Sequence, residues 1–360
     1  MKRILHAAVY VLLMLTVLQA QPPERVGQAG ATQLLINSMP KSSALNGLDI
    51  ASTDGIESSQ VNPAGLARTT GTELLFAHTR WMTGSDIGIN TFGFSQGLGP
   101  NGGALGVAIT AFSLGDFIRT TTEQPDGTLG TFSPTYLNIG ISYAKKFTDH
   151  IYVGTTVRIV NEATPEVSAG GVAFDAGIQY RTGEKDRVRL GIALRNVGPT
   201  MRFSGDGLSG RVLFQPNNPY TSTVTLPTAR FEMPTVLTMG GAMDFFAGTQ
   251  HTFTVNAGFI SNSFYLDQGG LSLSYKYREY LILRGSFLYE DGIFGRVIGI
   301  DGRYNVHTGA AAGATFQIPF KTGKVDASGN PDFSKFSLDL SYRTTNPFDG
   351  TFVFGARIDI

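Results

Sequence analysis

Ile151-Tyr152-Val153-Gly154-Thr155-Thr156-Val157-Arg158-Ile159 is the stretch whose period decides the fold. Ile151, Val153, Thr155, Val157 and Ile159 alternate with Tyr152, Gly154, Thr156 and Arg158. Successive side chains of a strand point to opposite faces, so this segment has one apolar face and one polar or small face. The period of two returns in Val188, Leu190, Ile192 and Leu194, set among Arg187, Arg189, Gly191, Ala193 and Arg195. It returns again at Leu137 to Tyr143, Val172 to Tyr180, Leu271 to Tyr277 and Phe336 to Tyr342, and Phe352, Phe354, Ala356, Ile358 and Ile360 close the chain in the same way. Each segment is about ten residues long, the length a tilted strand needs to cross a bilayer.

A soluble sandwich also alternates, so the period alone leaves two folds open. Three features favour a membrane barrel. Tyr143, Tyr180, Tyr277, Tyr289 and Tyr342 sit at segment ends, where an interfacial aromatic girdle lies. Gly, Ser and Thr fill much of the polar face. The connections alternate in length: those near 146–149, 182–186, 247–249 and 278–279 are tight, whereas 114–133, 198–231 and 290–307 are long. Outer-membrane barrels keep short turns in the periplasm and long loops outside, and about 14 antiparallel strands between Glu73 and Ile360 satisfy that rule. One link breaks it. Phe320 to Ser334 is long where a short turn is expected, so it is a periplasmic insertion or the strand count is off nearby.

Composition narrows the function. The 360 residues contain 45 Gly, 25 Phe and 13 Tyr but no Cys, so neither disulfides nor thiolate metal ligands are available. Lys and Arg balance Asp and Glu at 28 each, which gives no reason to expect nucleic acid as a partner. Residues 1–20 have the layout of a signal peptide: Lys2 and Arg3, an apolar core from Ile4 to Leu18, and Ala20 before the cut. After Leu18 no apolar run reaches the roughly 18 residues of a membrane helix, so a membrane crossing must be made by a closed barrel.

Residues 21–72 have little strand character and read as an N-terminal plug, with 73–360 as the barrel. Eight strands are filled by their own side chains and sixteen leave a water channel, so a barrel of about fourteen needs an occupant to stay sealed. Asn62-Pro63-Ala64-Gly65 ends the plug segment. Pro63 lacks an N–H and Gly65 permits angles other residues avoid, so the chain bends here and enters the first strand.

Asn62 to Ala67, the strand with His78-Thr79-Arg80-Trp81, Asp126 to Phe132, Leu283 to Glu290, and Asn346-Pro347-Phe348-Asp349-Gly350-Thr351 together resemble the PorV/PorQ family of Bacteroidetes outer-membrane proteins, whose fold is similar to the FadL fatty-acid transporters. The last-strand pattern is closer to PorV. The resemblance implies a fourteen-stranded FadL-like barrel with a plug. It also implies work in the type IX secretion system, passing cargo C-terminal signal domains from the translocon barrel to the surface attachment machinery.

No catalytic, metal or cofactor constellation stands out. His78, His150, His251 and His307 are dispersed without paired spacing, and Gly93 to Gly99 lacks the Lys of a phosphate loop and reads as a turn. Arg158, Arg189, Arg195, Arg284 and Arg343 fall on the polar face as lumen charges; they either line a solvated lumen or clamp the plug through carboxylates such as Asp54 and Glu57. Phe117, Ile118, Phe214, Tyr220 and Phe294 lie in the long loops and either pack over the mouth or meet a partner. The expected partners are outer-membrane lipid and, by resemblance, the translocon and cargo. The alternative function is a FadL-like channel for hydrophobic small molecules; an exported soluble β-protein is the third possibility.

Overall fold

The computed structural model describes residues 25–99, 102–214, 220–294, 305–325, 331–345 and 348–360; the signal-peptide expectation at 1–20 and Asn346-Pro347 of the resemblance lie outside them. In chain order the strands are β1 (Thr72–Trp81), β2 (Ile87–Gly97), β3 (Ala104–Ser113), β4 (Phe117–Ile118), β5 (Thr131–Phe132) and β6 (Thr135–Lys146). Then come β7 (Ile151–Ala163), β8 (Ser168–Thr182), β9 (Val188–Val197), β10 (Ser209–Phe214), β11 (Tyr220–Thr225) and β12 (Val236–Ala247). The last six are β13 (His251–Asn262), β14 (Gln268–Tyr277), β15 (Leu281–Glu290), β16 (Gly309–Val325), β17 (Pro331–Arg343) and β18 (Thr351–Asp359).

Fourteen of these form one closed antiparallel barrel, and the pairs β4–β5 and β10–β11 are small hairpins within the long loops. Closure is made by β1 against β18, from Glu73 opposite Asp359 to Arg80 opposite Phe352. No strand edge of the wall is left open, which a hydrocarbon environment demands.

The distribution of side chains excludes the soluble sandwich. Leu190, Leu271 and Phe316 are 55%, 55% and 58% exposed on the outer face, while Thr91, Ser95, Thr156, Gln179 and Ser337 are fully buried inside. An apolar outside around a polar inside is the arrangement of a barrel in lipid.

Two expectations are corrected. Gly93 and Gly97 belong to β2 and not to a turn, because the lumen needs room there: a Cβ on Gly93 would come within 2.9 Å of Ile56 from the lumenal segment. The described part of the 320–334 link is strand and not loop, since β16 runs to Val325, β17 starts at Pro331, and their pairing continues with a register shift between Lys321 and Val325. The hairpin is prolonged past the wall at the short-turn end.

Candidate functional site

Residues 29–71 pass through the lumen from one end to the other. The chain starts at the long-loop end, where Gly30 N donates to Glu232 O at 3.0 Å and Arg25 pairs with Glu232 at 2.9 Å. Ala31 and Leu34 pack there on Val160, Ala173, Met201 and Met233. A single α-helix, α1 (Pro40–Ala44), and 3-10 turns at Thr32–Leu35, Ile56–Gln60 and Pro63–Arg68 follow, short because each apolar side chain must meet a different wall strand. Leu48 meets Val236, Ile260 and Leu288; Met39 and Ile56 meet Leu75 and Ala108; Leu66 meets Ala104 and Ala144 at the short-turn end.

Asn62 is fully buried and has every polar atom in use. Its Oδ1 accepts from Ala64 N at 3.1 Å, capping the turn that Pro63 opens. Its Nδ2 donates to Ile50 O at 2.9 Å and to Ile178 O at 3.1 Å, joining two parts of the lumenal segment to β8. Pro63, Ala64 and Gly65 are buried with it. Close approach explains the facing glycines: a Cβ on Gly154, Gly177 or Gly191 would collide with Pro63 O, Asn62 Oδ1 or Ile50 O respectively.

The five lumen arginines do different things. Arg158 Nη2 donates to Ser59 O at 2.5 Å and Arg195 Nη1 donates to Gln60 O, so two of them hold the segment through backbone carbonyls and not carboxylates. Arg189 pairs with Asp244 within the wall, and Arg284 donates to Thr315 at 2.5 Å. Among the described residues Arg343 reaches His307 O alone, at 3.4 Å. Asp54 pairs with Arg68 of its own segment at 3.6 Å. Glu57 alone follows the expected carboxylate pattern, meeting Arg357 at 3.6 Å and Lys41 at 3.8 Å while its Oε2 accepts from the amides of Lys41 and Ser42 at the start of α1. Glu73 joins the cluster by accepting from Ile56 N at 2.8 Å. Burial pushes the Glu57 carboxyl up from 4.5 to about 8 against the pull of Lys41. Lys41 and Glu73 were not singled out for this role by the sequence, whereas Arg357 falls on the polar face of the last alternating segment and is one of the inward arginines open to it.

Two cavities flank the segment and share no lining residue. The one at the short-turn end is about 880 Å³ and mixes both signs, among them Lys41, Asp54, Glu57, Arg189, Lys335 and Asp359. The one at the long-loop end is about 270 Å³. Leu35, Ile36, Val236, Ile260 and Leu288 give it an apolar wall, with Trp81, Arg195, His307 and Arg343 also facing it. Above it the long loops carry Phe117, Ile118, Phe214, Tyr220 and Phe294, all exposed. Phe117 stacks on Phe132 and Phe214 on Tyr220 across their small hairpins, so three of the five loop residues pack within their own hairpins.

No protein-family model and no curated protein matches the sequence. Among solved structures, the chain is similar to the CymD monoaromatic hydrocarbon channel, with 13% identity, 90% of this chain and 97% of that one covered, and a TM-score of 0.51. It has the fold of a FadL-like outer-membrane barrel. The Pseudomonas putida toluene transporter TodX (14% identity, 88% and 96% covered, TM-score 0.48) and a Pseudomonas aeruginosa FadL homologue (12%, 94% and 98%, 0.47) were also found. At these identities the likeness is one of fold alone.

Proposed function

We propose that the protein is an outer-membrane channel for small hydrophobic molecules. The observation that carries this reading is the 270 Å³ cavity, apolar on most of its wall and set between the outer mouth and the lumenal segment. A molecule entering from outside is taken out of water there before it meets the segment that blocks the straight path. Onward passage requires the segment to shift or the wall to part. The wall has an irregular place beside it: β8 and β9 shift register between Phe174 and Ala176, putting Arg195 and Asn196 in succession opposite Asp175. The barrels of similar fold named above as a hydrocarbon channel and a toluene transporter support the same reading. The test is uptake of a labelled aromatic hydrocarbon by cells with and without the protein. Equal uptake would sink the proposal.

A second reading is favoured by the β10–β11 hairpin. Leu213 and Tyr220 are 56% and 60% exposed, and the whole hairpin stands in the 198–235 loop as a polypeptide ribbon with apolar side chains facing solvent. Such a surface suits a protein partner. With the PorV/PorQ resemblance of the sequence, it supports a role in type IX secretion, in which the outer mouth receives cargo signal domains from the translocon barrel and passes them to the attachment machinery. Co-purification from detergent extracts tests it. Recovery of a giant barrel partner or of cargo signal domains supports secretion, and an unchanged secreted proteome after deletion counts against it.

A further inference from the structure

Trp81 Nε1 donates to His307 Nε2 at 3.0 Å. An indole nitrogen only donates, so Nε2 must present a lone pair and the ring is neutral with its proton on Nδ1. Burial, and then the nearby Arg343 charge, hold His307 well below its ordinary pKa and agree with that tautomer. The Nδ1–H so defined is buried and has no hydrogen-bond partner. Beside it Arg343, 8% exposed, has a buried Nε with no partner either, and no ion pair involves this guanidinium among the described residues. Across the cavity Arg195 Nε is likewise buried and unpartnered.

A buried cation without a counter-charge, next to a second unused donor, is costly in isolation. Elsewhere in the lumen the chain supplies carboxylates for this purpose: Asp175 for Arg158 and Asp244 for Arg189. Here none of the described residues supplies one. No Asp or Glu lines the 270 Å³ cavity, although two arginines do. The missing group is an anionic acceptor that arrives with the occupant.

We propose that the outer cavity binds a small amphipathic carboxylate, its acid group paired with the Arg343 guanidinium that lines the cavity beside His307 and its apolar body lying on Leu35, Ile36, Val236, Ile260 and Leu288. Size limits the body. A cavity of about 150 Å³ holds one benzene, so 270 Å³ accommodates one ring with a short acid side chain. The inference rests on the channel reading above and names the ligand class of that cavity.

Trp81 is the single tryptophan and lines the cavity, so its fluorescence reports occupancy. The full-length protein in detergent is titrated with 3-phenylpropionate and with the neutral 3-phenylpropanol. The acid is expected to change Trp81 emission saturably and to bind at least ten-fold more tightly than the alcohol. Arg343→Gln, checked for folding by its heat-dependent gel mobility, is expected to remove that preference while leaving the alcohol unaffected. Equal affinity for acid and alcohol in the wild-type protein overturns the proposal, and this comparison stands even if the variant does not fold. If the alcohol binds and a hydrocarbon is taken up but the acid does not bind, the carboxylate inference alone fails. If neither probe binds and deletion leaves uptake unchanged, the channel reading fails with it.

Discussion

Arg158 and Asp175 face each other from β7 and β8 inside the barrel, Nε to Oδ2 at 2.7 Å, and the second oxygen of the same carboxylate accepts from the backbone amide of Asn196 at 2.7 Å. Asp175 thereby fixes the bulge in β9 and aims Arg158 at Ser59 O of the lumenal segment. Breaking a buried pair from one side leaves a charge without compensation, at a cost of about 3–5 kcal/mol. Asp175→Ala is expected to lower the unfolding free energy by that much in denaturant titrations of the detergent-solubilised barrel. Asp175→Ala combined with Arg158→Met should recover part of the loss, and a double variant no better than the single one would contradict the pairing.

Asn62 links the lumenal segment to the wall through one side chain. Asn62→Asp keeps the shape and the acceptor for Ala64 N but removes the donors to Ile50 O and Ile178 O. Ile50 O keeps its hydrogen bond from Gln179 Nε2 at 3.1 Å, but the new carboxylate oxygen is set against two carbonyl oxygens, and a buried polar group left unsatisfied costs about 1–3 kcal/mol. The variant should unfold at lower denaturant and expose the segment to protease in intact barrels; wild-type protection at 31–68 would contradict this role for Asn62.

The faces of β14 can be separated by one position. Leu273 is 48% exposed on the outer face, whereas Ser274 lines the short-turn cavity. Leu273→Arg should cost about 2–4 kcal/mol near the bilayer midplane, and Ser274→Arg far less. Refolding into lipid vesicles with a urea titration measures both, and equal effects would invert the assignment.

The path of the chain predicts its topology at the cell surface. Gln28 lies at the long-loop end beside Glu232, and Phe147 lies in a short turn. Because the chain has no cysteine, Gln28→Cys and Phe147→Cys can be labelled singly. A membrane-impermeant maleimide should mark Gln28→Cys on intact cells and Phe147→Cys only after the outer membrane is opened.

Glu57 gives the lumen a pH dependence. Its carboxyl rises from 4.5 to about 8 on folding, chiefly by burial, with Asp339 and Glu73 adding to the rise and Lys41 and Arg284 opposing it. Between those values the folded state binds the proton and the unfolded state does not. The stability contributed by this group is therefore full below about 4.5 and is lost as the pH climbs through about 8. Glu57→Gln should flatten the difference in unfolding midpoint between pH 5 and pH 8.5; a slope identical to wild type would assign it to other groups.

The wall was legible residue by residue. Alternation is local, so Ile151 to Ile159 and Val188 to Leu194 reveal strand, face and boundaries without knowledge of any partner, and the unequal connections order the strands around the ring. The 320–334 link was misread because its composition carries turn signals, Gly329 and Pro331, while β16 and β17 continue to pair past the wall. Glycine at 93 was misread for a related reason: its cause is Ile56, which is distant in sequence.

Inside the barrel, the sequence indicated which residues point inward and left open what each one meets. Asn62 and Ile178 are 116 positions apart and Trp81 and His307 are 226 apart, and no local pattern encodes such contacts. A strand's period is set by backbone stereochemistry and is written in neighbouring residues. The partner of a lumenal charge is set by closure of the ring, which brings β17, the β15–β16 loop and β1 to one cavity. Local alternation is therefore enough to specify the barrel, whereas closure of the ring is what pairs Arg158 with Asp175 and leaves Arg343 without a carboxylate among the described residues.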